Sequence, residues 1–352
     1  MVAISRKSHA RNFLAYLVIG VVALSTTLAG CNAPNTPEKN AVASQGIKAK
    51  AVRVGYFSAS DITRSRGVLE KRLNPLGIKV EWSKFTAGPQ LLEAVNVGSL
   101  DVGMVGETPP IFAQAAGIPF VFIASTRPGT GEGTAIVVPK DSQIKTAADL
   151  KGRNIAFQRG TASQYFVVKA LQEVGLKLSD VKHLNLIASE TRAALLNSSV
   201  DAAVVSDPQL AEFQRTLGVR VVRNAKGLST QGGYWIAQRD FVKDNPELIK
   251  TILEEVNNAG KWADANPREV AEIIARDVKL DLDTLEKIVR RRRATLRPIT
   301  NEILAGQQEI ADLFYEQKII NKPIKVKEKA LSPEEYTAIT PANIKSSEIS
   351  SK

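Results

Sequence analysis

Residues 85–117, "FTAGPQLLEAVNVGSLDVGMVGETPPIFAQAAG", carry the alternation on which the fold turns. "PQLLEAVNVG" repeats its apolar residues at helical spacing, "LDVGMV" is a short apolar run of strand length, and "TPPIFAQAAG" returns to the helical pattern. Both helices open with proline at an early position, where the missing N–H leaves no bond unmade. Strands and helices in strict alternation predict an α/β fold with mainly parallel sheets covered by helices. "AVRVGYF", "IKVEW" and "FVFIAS" read as further strands of the same unit.

A second unit starts at "TAIVVPKDSQIKTAADLKGRNIAFQ", residues 134–158, and continues through a helix from Ser163, the strand "VDAAVV", a helix after Asp207 and the strand "VRVV". The stretch from Phe241 to about Tyr315 is nearly all helix by its apolar spacing. Leu331 to Lys352 is rich in Ser, Pro and Lys and is expected to fray. A chain of 352 residues with 44% hydrophobic content exceeds what one ordinary domain needs, so two lobes are expected.

The amino-terminal end has the pattern of an export signal. Arg6, Lys7 and Arg11 precede the apolar run "FLAYLVIGVVAL" and the small-residue site "LAGC", which ends at Cys31, the only cysteine. "LAGC" resembles a bacterial lipobox, whose cysteine is lipidated and becomes the mature N-terminus. An ordinary signal peptide followed by a chance cysteine is the alternative. On the lipobox reading residues 1–30 are removed, Cys31 is the lipidation site, and residues 31–51 form a polar tether to a bacterial membrane. The expected location is periplasmic or cell-surface.

The net charge falls from +11 to +8 on loss of the three basic residues of the signal. A basic body suggests nucleic acid, but an exported protein meets little of it and the aromatics are not interleaved with basic residues, so no nucleic-acid partner is expected. "RRRR", Arg290 to Arg293, reads as a solvated helix end favoured by the helix dipole, with partner docking as the alternative. Beyond the signal His183 is the one histidine, and neither "HExxH" nor "GxSxG" occurs. "GTGEGT", Gly129 to Thr134, lacks dinucleotide spacing and runs into a strand. Neither an enzyme, a metal site nor a cofactor is expected.

Open α/β sheets bind ligands at the carboxyl ends of their strands. Four turns stand there before helices: "YFSAS" (56–60), "TAGPQ" (86–90), "VGETPP" (105–110) and "RGTAS" (159–163). Each can offer unpaired backbone N–H groups to one shared anion. The candidate ligand contacts in them are Ser58, Ala59, Gln90, Gly106, Glu107, Thr108, Thr161, Ala162 and Ser163. For Ser163 an N-cap of the following helix is the competing role.

The residue 85–117 stretch, together with "IKTAADLKGRNIAFQRGTAS", "SDPQ" and "TNEILAGQQEIADLFYEQKII", resembles the aliphatic sulfonate binding proteins of bacterial ABC importers over roughly Val52 to Glu328. The resemblance implies a type II periplasmic binding protein fold, two lobes joined by two crossovers with a cleft between them. Residues 52–137 and 234–328 would form lobe one, 138–233 an inserted lobe two, and 329–352 a C-terminal tail. It implies a monomer that takes a small organosulfonate anion and hands it to an ABC permease and ATPase complex. Taurine, nitrate or bicarbonate, and a thiamine precursor are the alternative ligands on the same fold.

Asp207 and Tyr234 join the candidate contacts. Relatives often have an aromatic before the Asp-Pro pair, where this chain has Ser206, so the pocket for the organic tail is wider or more polar. Asp207 either caps the next helix or touches an amino or hydroxyl group of the ligand. Glu107 would repel a sulfonate unless it points away, caps the Thr108 helix or meets the cationic part of a zwitterion.

Overall fold

The computed structural model describes residues 47–58, 61–228 and 232–345. Cys31, the export signal and Ala59 lie outside the described residues. Eleven strands are present among them: β1 (Ala51–Tyr56), β2 (Lys79–Lys84), β3 (Val102–Val105), β4 (Phe120–Thr126), β5 (Thr134–Val138), β6 (Asn154–Ala156), β7 (Lys182–Leu184), β8 (Ala202–Ser206), β9 (Arg220–Asn224), β10 (Tyr234–Gln238) and β11 (Leu296–Arg297).

They form two sheets, ordered β11-β4-β10-β3-β1-β2 and β7-β6-β8-β5-β9. β1 runs parallel to β2 and β3, and β6 runs parallel to β7 and β8, with helices in the connections between successive strands. The expected mainly parallel sheets are mixed in detail. β5 and β10 are antiparallel to both their neighbours, because these are the strands on which the chain enters the second sheet and returns to the first. β5 already belongs to the second sheet from Thr134, so the crossover is the loop 127–133 rather than the end of β5.

Helices cover both faces of each sheet, and every face has its own apolar core. Leu69, Val121, Ile252 and Leu253 lie on one side of the first sheet, and Leu91, Phe120, Phe122 and Phe314 on the other. Leu91 deserves its place because Gly55 and Gly103, paired across β1 and β3, carry no side chain. A Cβ on either would come within 2.8–2.9 Å of Leu91 Cδ1. This seat draws the Gly88–Asn96 helix down onto the strand ends and brings its first turn to the edge of the sheet.

The described part of the C-terminal stretch does not fray. Leu331, Ile339 and Ile344 are buried in the first sheet's core, the Ser332 hydroxyl caps the Pro333–Ile339 helix, and Tyr336 Oη donates to the Phe122 carbonyl at 3.0 Å. A polar composition concealed three apolar residues at the spacing of a packed helix pair. At the other end, residues 47–50 of the expected tether are held as well: Lys48 N and Ala49 N donate to Asn245 Oδ1 at 3.0 and 2.8 Å. No helix of the described residues is long and apolar enough to cross a membrane.

Candidate anion-binding cleft

The carboxyl ends of β1, β2 and β3 face those of β6, β7 and β8 across a cleft of about 330 Å³. From the first sheet come Phe57, Thr86, Ala87, Gly88, Gly106 and Pro109. From the second come Gln158, Thr161 to Ser163, Leu186, Ala188, Thr191, Val204 to Ser206, Gln209 and Phe213. None of these side chains is charged.

Five helices begin at the cleft: Gly88–Asn96, Pro109–Ala115, Ala162–Gln172, Ala188–Leu196 and Gln209–Leu217. The N–H groups of a first helical turn have no partner within the helix and carry the positive end of its dipole. The turns from the two sheets lie close together. A Cβ on Gly106 would sit 3.6 Å from Ala162 Cβ, and one on Gly160 would sit 3.1 Å from Pro89 Cγ. "AGPQ", "VGETPP" and "RGTAS" therefore converge, as their shared position after strands predicted.

At "RGTAS" the N-cap position belongs to Thr161, not Ser163. Thr161 Oγ1 does not cap the helix but donates to the Gln158 carbonyl at 2.7 Å. Gln164, almost wholly buried, accepts from Gly160 N at 2.7 Å and holds the turn from behind. Ser163 is the second residue of the helix and lines the cleft. Its hydroxyl has no hydrogen-bond partner among the described residues, so the capping role is not the one it plays here.

The remaining candidates separate into wall and support. Gly106, Thr161 and Ala162 line the cleft beside Ser163. Ser58 follows Phe57 in the turn after β1, and its carbonyl accepts from Asp61 N at 2.9 Å. Gln90 is exposed and off the wall, its Oε1 accepting from Thr86 Oγ1 at 2.6 Å, so that Thr86 takes the lining position. Thr108 is wholly buried, and Pro109 next to it forms the wall.

Glu107 also lies behind the wall. It is buried, its carbonyl accepts from Gln307 Nε2 at 2.5 Å, and its charge acts on Tyr165 and Tyr234. Burial pushes both phenols well above the usual tyrosine range, and Glu107 adds to the rise. Tyr234 is fully buried against Phe122, with ring centroids 5.0 Å apart, and does not line the cleft.

Asp207 is engaged elsewhere. Its Oδ2 accepts from Arg291 Nη1 at 2.7 Å and its carbonyl from Arg292 Nη2 at 2.7 Å. It does not cap the helix that follows. The wall residues that sequence reasoning passed over include Phe57, Thr86, Gln158, Leu186, Ala188, Thr191, Gln209 and Phe213. A signal for two of them was present in "LNLIASE", another strand, turn and helix, where Glu190 Oε2 accepts from Ile187 N at 3.0 Å. His183 stacks on Phe157 with centroids 3.8 Å apart, and burial lowers its pKa, so it serves packing.

Residues 75–270 match the family profile described as NMT1/THI5 like. An Escherichia coli K12 protein named as an aliphatic sulfonates-binding protein is 32% identical over 327 residues, 92% of this chain and 97% of its own length. The alkanesulfonate-binding protein SsuA from Xanthomonas axonopodis pv. citri, solved bound to MOPS, is 31% identical with a TM-score of 0.76, over 80% of this chain and 98% of that one. The periplasmic aliphatic sulphonate binding protein SsuA from Escherichia coli is 34% identical with a TM-score of 0.72, over 81% and 92%. These relatives are substrate-binding proteins, and this chain is one rather than an enzyme. With the profile spanning more than half of its residues, the chain belongs to the NMT1/THI5-like family and has the periplasmic binding protein fold of its sulfonate-binding relatives.

Proposed function

We propose that the protein captures aliphatic sulfonates outside the cytoplasm and delivers them to the permease and ATPase of an ABC importer, its two lobes closing over the ligand. The observation that carries this reading is the uncharged cleft with helix N-termini on both sides. A sulfonate presents three acceptor oxygens and no proton to donate, so a wall of N–H and hydroxyl donors suits it without a basic side chain. Phe57, Leu186, Val204 and Phe213 offer an apolar surface to an alkyl chain. Nitrate or bicarbonate would leave that surface uncovered.

The same walls disfavour taurine. Asp207 is held by arginines and Glu107 lies behind the cleft, so no carboxylate meets an ammonium group. Burying a charged group without a partner is costly. By titration calorimetry, propanesulfonate should bind at least about tenfold more tightly than taurine, a difference of about 1.4 kcal/mol. Equal or tighter binding of taurine would favour the aminosulfonate reading.

The membrane tether rests on "LAGC". Cys31→Ser is expected to move the protein from the membrane fraction to the soluble fraction with unchanged ligand binding. Retention of this variant in washed membranes would contradict lipidation at Cys31.

A further inference from the structure

The arginine run and the "GTGEGT" loop meet at one place. Arg290 pairs with Glu286 one turn back on its own helix, and Arg293 donates to the carbonyls of Arg290 and Arg292. Arg291 and Arg292 instead reach across to the second sheet's turn, where Arg291 Nη1 holds Asp207 Oδ2 and Arg292 Nη2 holds the Asp207 carbonyl. The Asp207 side chain is only 3% exposed. On its other side Asp207 N donates to the Gly133 carbonyl at 2.7 Å, while Thr130 N donates to the Arg291 carbonyl at 2.9 Å.

The glycines of the crossover make this possible. A Cβ on Gly129 would lie 2.6 Å from the Arg291 carbonyl oxygen, and one on Gly133 would lie 2.9 Å from Asp207 Oδ2. Three segments distant in sequence are thus stapled together: the crossover, the Ser206–Gln209 turn and the end of the Leu282–Arg290 helix. Nearby, Ala211 packs against the helix pair containing Ala271, Leu285 and Ile288. Ser206 and Gln209, on either side of the staple, line the cleft, whereas neither arginine does.

We propose that Arg291 and Arg292 are positioning residues for ligand binding: through Asp207 they hold the Ser206–Gln209 wall against the cleft, and so set how tightly a ligand is retained without touching it. The inference rests on the sulfonate reading for its choice of probe. A carboxylate this deeply buried holds a fixed place only while it is paired, so removing Arg291 frees the turn.

The test is a double-mutant cycle on the full exported protein, read by calorimetry with propanesulfonate and by thermal melts. Arg291→Met should raise Kd at least about tenfold, and Arg290→Met should leave it unchanged. In an Asp207→Asn background the further change Arg291→Met should have little effect. A parental Kd for Arg291→Met overturns the proposal. So does an equal loss in the Asp207→Asn background or an equal loss for Arg290→Met, either of which would point to bulk attraction of the anion by positive charge. If Arg291→Met does not fold, Arg291→Lys, which keeps the charge but not the fork, should still weaken binding about threefold, and a parental Kd there overturns it. If the parent protein itself does not bind propanesulfonate, the sulfonate reading fails. The staple is then judged on ligand-free protein by hydrogen exchange, where residues 209–213 should exchange at least about tenfold faster in the methionine variant, or in Arg291→Lys should that variant not fold. Unchanged exchange overturns it.

Discussion

Replacing Ser163 by aspartate is expected to abolish sulfonate binding while the protein stays folded. Ser163 lines the cleft in the first turn of the Ala162–Gln172 helix, where a carboxylate is favoured by the helix dipole. Stability should therefore not suffer. A sulfonate oxygen cradled by the same turn would stand near that carboxylate, and two like charges about 4 Å apart at an effective dielectric of about 20 repel by about 4 kcal/mol. That corresponds to roughly a thousandfold loss of affinity. Ser163→Ala removes only one hydrogen bond to a charged group, about 1.5 kcal/mol or more, and should cost about tenfold. Calorimetry on both variants with melts as the folding control checks the pair. Binding of propanesulfonate by Ser163→Asp at parental affinity would remove the anion from this turn.

Gly88→Ala is expected to damage fold and binding together. A Cβ at residue 88 would lie 2.4 Å from Pro109 Cγ and 2.9 Å from Pro109 Cβ. The proline ring is rigid and cannot rotate aside, so one of the two helix starts must move. Overpacking of this kind costs about 1–3 kcal/mol. Because both helix starts face the cleft, the displacement also misaligns the donors offered by "AGPQ" and "VGETPP". The expected result is a lower melting temperature with at least about tenfold weaker propanesulfonate binding. A variant that melts and binds like the parent would mean that the two turns do not act as one wall.

Much of this architecture was legible before any coordinates. The alternation in residues 85–117 depends on local spacing, and the residues that bound its helices, Pro89 and Pro109 at their starts and Gly117 after the second, act on their own backbone. The same local logic indicated that "AGPQ", "VGETPP" and "RGTAS" would end strands and start helices, and three helices begin there. Position after a strand was enough to predict convergence, because parallel neighbours present their carboxyl ends on one side.

Side-chain roles within those turns were another matter. Nothing in "RGTAS" says that Thr161 takes the N-cap position, turns its hydroxyl to Gln158 and leaves Ser163 facing the cleft. Gln90, Glu107 and Tyr234 have the chemistry of ligand contacts, yet one is held by Thr86 at the rim and two are buried behind the wall. For Asp207 the deciding partners are Arg291 and Arg292, more than eighty residues away. The sequence by itself determined the elements, their order and the strand ends at which turns lead into helices, since these follow from periodicity and backbone sterics within a few residues, whereas the two-lobed arrangement was implied by the family resemblance. Only the tertiary structure decided which polar groups are spent on one another and which line the cleft, because hydrogen-bond partners and burial are set by contacts between segments that local spacing does not encode.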